Sequence, residues 1–322
     1  MPWQPSADIK QLKQRAKVIS QIRAFLDARH LLEVDTPVMS HYGVSDPHID
    51  SIPVAFTPDG ALSSQSMSLM SSPEYAMKRL LAAGSGDIYQ IAKAFRNGEV
   101  GRKHNPEFTL LEWYRLNYDL EQLMTEVACL IDTVMEGETL KWHFLSYREA
   151  FEKILSINPL TASDKAIRET AMAHVDVTMD ASTPRDTWLD LLMSHCIESQ
   201  LPKACFIFDY PASQCALARI SMDEQGNKVA RRFEVYINGI ELANGYHELT
   251  DAKEQERRFK LDNEARKGMG KPPMQTDIRL VEALEAGLPE CSGVALGIER
   301  LLMLAAGEQD ISKVMAFSHR LA

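Results

Sequence analysis

The stretch FRNGEVGRKHNPEFTLLEWY, residues 95–114, decides the fold of this chain. It follows an apolar run at 88–92 (IYQIA), whose β-forming side chains predict a strand. The charged residues 95–104 predict a loop, and the run 108–114 (FTLLEWY) predicts the strand that returns beside the first. Two consecutive strands joined by a loop indicate an antiparallel sheet.

Other elements are predicted on both sides of this hairpin. Apolar residues recur at helical spacing over 9–29, and Pro73 opens a second helix at a position where its missing N–H costs nothing. Asn238-Gly239 predicts a tight hairpin turn. Further helices are predicted over 119–136, 146–156, 164–174, 185–198, 250–267 and 277–286, and further strands over 205–208, 232–237 and 240–244. This order of elements predicts an α+β fold, with an antiparallel β-sheet flanked by helices.

Composition narrows the classes of function. The chain has 322 residues with 45% hydrophobic composition, enough to bury a sizeable core. Its net charge of −10 argues against extended nucleic-acid binding, which normally needs a basic surface. The N-terminus has no apolar core of a signal peptide, and no CxxC pair occurs among the five cysteines. These features predict a cytoplasmic protein with reduced thiols and argue against zinc.

Carboxylates lie inside runs that otherwise predict buried strands. Glu112 and Tyr114 alternate with apolar residues, Glu234 lies in an aromatic strand, and Glu241 and Glu248 bracket the run LANGYH. Because the side-chain period of a strand is two, one face of the sheet should carry a row of carboxylates. Burying several carboxylates is costly unless a cation meets them. A substrate amine, a magnesium ion, or both would supply this positive charge.

Six segments, in order along the chain, resemble one enzyme family. Those at 25–37 (FLDARHLLEVDTP), 95–108 and 292–304 (SGVALGIERLLML) look like motifs 1, 2 and 3 of class II aminoacyl-tRNA synthetases. The segments at 72–81 (SPEYAMKRLL), 108–114 and 239–259 are similar to lysyl-tRNA synthetase in particular. The resemblance runs from about residue 10 to the C-terminus. It implies a class II synthetase catalytic fold and ATP-dependent formation of an aminoacyl-adenylate.

The resemblance also implies an acceptor. Motif 1 lies close to the start of the chain, so we expect residues 1–322 to form a single catalytic domain without an anticodon-binding domain. This matches truncated lysyl-tRNA synthetase paralogues that modify elongation factor P. The likeness implies β-lysine or lysine as the activated amino acid, elongation factor P as the protein partner, and no tRNA. It also implies a homodimer, because motif 1 forms the dimer interface in this family.

For ATP, the resemblance implies two catalytic arginines, Arg96 in motif 2 and Arg300 in motif 3, which contact the phosphates and flank the nucleotide. A guanidinium suits this role because it neutralises charge on phosphate oxygens in a fixed geometry. Phe108 matches the aromatic residue on which adenine stacks. The remaining ATP-binding residues implied are Asn97, Gly98, Glu99, Asn105, Glu241, Leu242 and Gly297.

One position departs from the family pattern. Motif 2 usually reads R-x-E, but Gly98 stands at the glutamate position and Glu99 follows it. Two interpretations stay open. Either the Glu99 side chain turns in to bind adenine, or backbone groups at Gly98 bind it.

For the metal and the amino acid, the implied residues are mainly acidic. Glu241, with Glu234 as a second candidate, matches the carboxylates that hold magnesium, which prefers hard oxygen ligands. Glu74 matches the residue that binds one amine, whereas Glu248 and Tyr114 match the group that binds the distal ammonium. Further substrate-binding residues implied are Ser72, Pro73, Asn244, Tyr246 and Ala295.

Ala295 stands where lysyl-tRNA synthetase has glycine, and its methyl should penalise α-lysine more than β-lysine. Two alternative functions remain. The first is a free-standing adenylating ligase with a small-molecule acceptor. The second is a regulator that binds an amino acid without chemistry, which the presence of both arginines and the carboxylates disfavours.

Overall fold

The computed structural model of the protein describes residues 3–135, 140–177, 180 and 183–322. Within these ranges the helices begin close to where the sequence predicts them. Their bounds are α1 (Ile9–Asp27), α2 (Glu74–Ala82), α3 (Leu120–Val134), α4 (Tyr147–Leu155), α5 (Asp164–His174), α6 (Arg185–Leu192), α7 (Ala252–Gly268), α8 (Ile278–Gly287) and α9 (Ile298–Ala306).

The strands include short ones that periodicity did not predict, because a strand of two or three residues carries too little pattern to recognise. Their bounds are β1 (Leu32–Glu33), β2 (Met39–Ser40), β3 (Pro53–Phe56), β4 (Gln65–Leu69), β5 (Ile88–Phe95), β6 (Glu107–Leu116), β7 (Trp142–Ser146), β8 (Ala204–Pro211), β9 (Ile220–Met222), β10 (Lys228–Ile237), β11 (Ile240–His247) and β12 (Cys291–Gly297).

Side-chain caps mark several helix starts. Asp8 accepts a hydrogen bond from the Gln11 amide at the start of α1. Ser146 and Glu149 form a reciprocal capping box at the start of α4. Such caps satisfy backbone donors that have no partner within the helix.

The chain divides into two compact units. Unit 1 comprises Met1–Tyr118, Thr133–Met135 and Leu249–Ala322. Its main strands run in the order β1-β5-β6-β12, and a separate three-stranded sheet runs β2-β4-β3. The β5–β6 and β6–β12 pairs are antiparallel, as predicted, whereas β1 pairs with β5 in parallel.

Unit 2 comprises Asp119–Asp132 and Glu136–Glu248. Its strands run in the order β11-β10-β8-β7, and β9 pairs with β10. The predicted hairpin joins β10 to β11, with Asn238 at φ +51° and Gly239 at φ +68°. Both central residues of such a tight turn need positive φ, which favours the Asn-Gly pair. The pairing of β7 with β8 is parallel.

A core of buried side chains stabilises each unit. In unit 2 the helices α4, α5 and α6 pack apolar residues such as Phe151, Ile167 and Trp188 together with Cys205 and Ile207 of β8. In the part of the chain that the structure describes, no helix is both long and apolar enough to cross a membrane. The architecture therefore matches the predicted class, a mainly antiparallel sheet with helices, and differs from it in the parallel pairs at β1 and β7.

The segment at 268–273 (GMGKPP), which follows α7, makes specific contacts. The Lys271 ammonium donates to the Pro47 carbonyl oxygen at 2.8 Å and to the Asp50 carboxylate at 2.9 Å. Beside it, the Arg266 guanidinium donates to the Pro272 carbonyl oxygen at 2.9 Å. The Gly-Pro composition indicates a loop but does not reveal Pro47 and Asp50 as partners, because they lie more than two hundred positions away along the chain.

Candidate active site

Strand β6 carries two polar side chains, Glu112 and Tyr114, on one face. Glu112 pairs in register with Gln90 of β5 and with Ala295 of β12, and Tyr114 pairs with Gly293. Paired residues and every second residue along a strand point to the same face of a sheet. Glu112, Tyr114 and Ala295 therefore share one face, as the alternation in the sequence predicts.

Glu112 is a buried carboxyl group, only 2% exposed. The Ser72 and Tyr114 hydroxyls each donate to it at 2.7 Å. Burial, and next the negative charge of Glu74, raise the pKa of Glu112 to about 7. The positive charge of Lys78 offsets part of this rise. Such a group is suited to bind an ammonium ion.

Sequence reasoning recognised Glu112 as a strand carboxylate but did not name it as a substrate-binding residue. The signal was present, because Glu112 lies two positions before Tyr114, which was named. Residues two apart on a strand share a face, so the prediction for Tyr114 could have been extended to Glu112.

Glu74, predicted to bind an amine, already has an amine partner within the protein. The Lys78 ammonium, one helical turn later in α2, lies 2.6 Å from the Glu74 carboxylate. Lys78 is only 2% exposed. Preceding Glu74, the Ser72 hydroxyl oxygen accepts from the Glu74 amide at 3.1 Å, and Pro73 precedes the first residue of α2. Ser72 thus ties the start of α2 to Glu112, and the role of Glu74 toward a substrate stays a prediction.

The motif 2 loop presents Arg96 beside an aromatic ring. The guanidinium carbon of Arg96 lies 5.1 Å from the centre of the Phe108 ring. Its Nη1 lies 3.6 Å from a carboxylate oxygen of Glu99. The Arg96 Nε is buried and has no hydrogen-bond partner among the described residues. A buried donor without a partner is costly, so this nitrogen is available for an anionic ligand.

Gly98 explains why the glutamate of the family pattern is absent. Its φ of +79° lies in the left-handed region, which residues with a β-carbon rarely adopt. A glutamate at this position would be strained in this conformation. The carboxylate of Glu99 faces Arg96 instead. Both predicted ways of binding adenine, by the Glu99 side chain or by the Gly98 backbone, stay predictions.

Arg300 lies next to the motif 2 loop. Its guanidinium donates to the His104 Nε2 at 2.8 Å, so that nitrogen carries no proton. Burial, and next the positive charge of Arg300, lower the pKa of His104, and Arg96 adds to this effect. Both predicted catalytic arginines therefore act electrostatically on one histidine. A β-carbon at Gly297 would meet only the Arg300 side chain, at 3.8 Å, so packing within the protein does not require glycine there.

The two asparagines of the loop are used differently. The Asn97 backbone amide donates to the Asp50 carbonyl oxygen at 2.7 Å, and binding of nucleotide by Asn97 stays a prediction. Asn105 is buried; its side-chain nitrogen donates to the Glu107 carbonyl oxygen at 2.6 Å, and its oxygen accepts from the His319 amide at 3.0 Å. These contacts favour a structural role for Asn105, whose contact with nucleotide stays a prediction.

Unit 2 carries a second buried carboxylate, Glu234 on β10, and this one is fully engaged. The Tyr210 and Tyr236 hydroxyls donate to the same oxygen at 2.6 and 2.5 Å, and the Arg232 guanidinium donates to the other oxygen. An arginine and two tyrosines thus compensate the buried charge. This leaves little capacity on Glu234 for a metal ion.

Asn244 and Tyr246, both predicted to line the amino-acid site, contact each other on β11. The Asn244 side-chain nitrogen donates to the Tyr246 hydroxyl at 3.0 Å, and Arg232 donates to the Asn244 side-chain oxygen at 3.2 Å. Asn244 pairs in register with Glu234. Sequence reasoning missed Arg232, although it lies two positions before Glu234 and so shares its face.

The remaining predicted residues of unit 2 lie on or after β11. Glu241 is half-buried and pairs with Tyr236, whereas Leu242 is buried and leaves only its backbone for a ligand. Glu248 is 1% exposed and its backbone bridges to Ala218. The binding roles predicted for these three residues stay predictions.

Comparison with known proteins places the chain in a family. A model of the class II tRNA synthetases (D, K and N) matches residues 6–320. The chain belongs to this family. It is 51% identical over 319 residues to an elongation factor P--(R)-beta-lysine ligase from Proteus mirabilis, covering 98% of this chain and 97% of that protein. Ligases of the same name from Salmonella paratyphi B and Salmonella schwarzengrund are 48% identical over 320 residues, with the same coverage.

Class II synthetases are expected to use magnesium with ATP, and the residues present allow a test of that fit. Magnesium is commonly held by one or two carboxylates together with the substrate phosphates. Glu241 offers such a carboxylate, whereas Glu234 is hydrogen-bonded on both oxygens and does not fit as a direct ligand. No cluster of three or more His, Cys, Asp or Glu side chains that could hold a metal occurs in the described ranges. Of the two predicted magnesium ligands, Glu234 therefore does not fit, and the role of Glu241 stays a prediction.

Proposed function

We propose that the protein is an ATP-dependent ligase that activates (R)-β-lysine, or lysine, as an aminoacyl-adenylate and transfers it to a lysine side chain of elongation factor P. The observation that carries this proposal is the similarity, along almost the whole chain, to relatives whose name states this reaction. The class II synthetase family supplies the adenylation chemistry. A small-molecule acceptor is disfavoured, because the relatives reported above are named for a protein acceptor.

In the first step, an oxygen of the substrate carboxylate attacks the α-phosphorus of ATP and pyrophosphate leaves. The carboxylate is already ionised at neutral pH, so no general base is needed. Arg96, whose Nε lacks a partner, and Arg300 would bind phosphate oxygens and neutralise the charge that develops on them. A magnesium ion held by Glu241 and the phosphates would supply further neutralisation when bound.

Recognition of the amino acid rests on its amines. Glu112 would bind an ammonium group of the substrate, with Ser72 and Tyr114 holding the carboxylate in place. Hydrogen bonds between charged groups contribute roughly 1.5–3 kcal/mol each. Glu74, already paired with Lys78, would add negative charge nearby, and Glu248 would bind the distal ammonium.

In the second step, the uncharged amine of the acceptor lysine attacks the acyl carbon of the adenylate. The bond from that carbon to the AMP oxygen breaks, an amide forms, and AMP leaves. The amine loses a proton, for which a phosphate oxygen of the departing AMP is one acceptor. The acceptor must lose its charge first, and a nearby guanidinium lowers the pKa of an amine.

We further propose that the protein works in the cytoplasm as a homodimer and does not charge tRNA. Leu32, within the motif 1 segment, and Val38, directly after it, are 55% and 38% exposed. Apolar side chains at this position are available for an interface between two copies. Sedimentation of a stable 36.2 kDa species at micromolar concentration would contradict the dimer.

The proposed function is tested with two acceptors. The protein is incubated with ATP and radiolabelled β-lysine, once with elongation factor P and once with lysine tRNA. Label is expected on elongation factor P, and it is expected to disappear when the acceptor lysine is replaced by alanine. Label on the tRNA alone would refute the proposal, whereas pyrophosphate exchange without either product would leave adenylation as the only supported step.

A further inference from the structure

Asp50 is held by two cations from the end of α7 and the segment after it. Its carboxylate lies 3.0 Å from the Arg266 guanidinium and 2.9 Å from the Lys271 ammonium. These hydrogen bonds, that of Lys271 first, lower the pKa of Asp50. Arg266 is buried and also donates to the Asp46 carbonyl oxygen at 2.9 Å, and Lys271 donates to the Pro47 carbonyl oxygen. The backbone from 46 to 50 is therefore fixed at several points.

The backbone of Asp50 in turn holds the start of the motif 2 loop. Its carbonyl oxygen accepts a hydrogen bond of 2.7 Å from the Asn97 amide. The preceding amide, that of Arg96, donates to the Pro106 carbonyl oxygen at 2.9 Å. The peptide on each side of the Arg96 α-carbon is thus anchored, one side to β6 by way of Pro106 and the other to Asp50.

We propose that Asp50 is a positioning residue for ATP binding, which acts by holding the peptide that carries Arg96. This inference rests on the proposed function, because it assumes that Arg96 binds ATP. A guanidinium contributes to catalysis only when its geometry is set before the phosphates arrive. Release of the Asn97 amide would let the loop turn away without changing the groups that bind the amino acid.

The test uses Asp50→Asn, which keeps the shape of the side chain and removes its charge. Lys271→Met is the milder variant, because it leaves the pair between Arg266 and Asp50 in place. Lys260→Met on α7 is the matched control, since Lys260 forms an exposed ion pair with Glu256 at 3.0 Å. Asp50→Glu, which keeps the charge, is expected to recover part of the loss.

Pyrophosphate exchange is measured at varied ATP and at varied β-lysine. We expect Asp50→Asn to raise the KM for ATP about tenfold, Lys271→Met to raise it less, and the KM for β-lysine to stay within about twofold. The control should match the wild type. Equal changes in both KM values, with a lowered melting temperature, would mean that Asp50 only stabilises the fold and would overturn the inference.

Hydrogen exchange of the ligand-free protein separates this inference from the proposed function. Asp50→Asn should speed exchange at the Asn97 amide and leave exchange within β5 unchanged. Unchanged exchange at Asn97 would overturn the inference even if the enzyme is fully active. If the wild type shows no pyrophosphate exchange, the proposed function fails, and the exchange data still decide whether Asp50 holds the loop.

Discussion

Two buried carboxylates, one in each unit, are compensated in opposite ways. Glu234 in unit 2 receives hydrogen bonds from an arginine and two tyrosines of its own unit. Glu112 in unit 1 accepts hydrogen bonds from two hydroxyl groups of the described residues, and its pKa is raised to about 7. Both lie on strands with the same alternating pattern, so the sequence alone does not distinguish them.

The difference indicates different roles. A buried carboxylate with its own arginine is a structural group, because removal of the cation leaves an uncompensated charge. A buried carboxylate without an arginine partner lowers the stability of the free protein. Binding of a cationic ligand compensates this cost. We therefore interpret Glu234 as a support for β10 and β11, and Glu112 as the group that binds an ammonium ion.

The largest expected effect is on stability, at Arg232. Arg232→Met should lower the free energy of unfolding by about 3–5 kcal/mol, because Glu234 would stay buried without its cation. Urea denaturation measures the change. Arg257→Met is the control, since Arg257 forms an exposed ion pair with Glu254, and it should cost less than about 1 kcal/mol. Similar losses in both variants would break the distinction between the two carboxylates.

The second expected effect is on substrate binding, at Glu112. Glu112→Gln should raise the KM for β-lysine about 10- to 100-fold, because a charged hydrogen bond to the amine is lost. Its free energy of unfolding should stay the same or rise, because a buried charge is removed. Pyrophosphate exchange and urea denaturation are the measurements. A loss of stability as large as that of Arg232→Met would show that Glu112 is a structural group too.

The third expected effect is a pH dependence. An ammonium ion binds the ionised form of Glu112, so the KM for β-lysine should rise as pH falls below about 7, by up to about tenfold per unit. The free energy of unfolding changes with pH in the opposite direction. The raised pKa means that the folded protein holds a proton that the unfolded chain has lost, so this group lowers stability as pH rises from about 4.5 to about 7.

Groups next to Glu112 also affect its pKa, so the pH experiment needs a control. Glu74 and Lys78 are the charged groups that act on Glu112, and the Ser72 and Tyr114 hydroxyls are bonded to it. Exchange kinetics from pH 6 to pH 8 for the wild type and for Glu112→Gln provide the comparison. A pH profile of the KM that is the same in both proteins would assign the titration to another group.

The smallest expected effect is on selectivity, at Ala295. Its methyl lies on the face that carries Glu112, at a position where the resemblance to lysyl-tRNA synthetase implies glycine. Ala295→Gly should improve activation of α-lysine relative to β-lysine by at most about tenfold, because one methyl group is worth roughly 1–3 kcal/mol. The ratio of kcat/KM values for the two amino acids measures this. An unchanged ratio would show that Ala295 does not contribute to selectivity between the two amino acids.

Much of the fold and part of the site followed from local patterns. Helix α1, the antiparallel pair β5–β6 and the hairpin at Asn238-Gly239 were predicted correctly, because spacing and turn chemistry are read within a few residues. The membership in the class II synthetases rested on segments in a fixed order, and the family match confirms it. Short strands such as β2 and β9 and the parallel pairs were not predictable, because their partners are set by the packing of the whole unit.

What the sequence by itself determined was which residues could carry the chemistry: the two arginines, the carboxylates at period two and the order of the motifs. Only the tertiary structure decided which of these charges are already compensated. Ser72 meets Glu112 across 40 positions and Arg266 meets Asp50 across 216. The sequence specifies which side chains carry charge. The free energy of burying each charge depends on which hydrogen-bond donors and cations the fold places next to it.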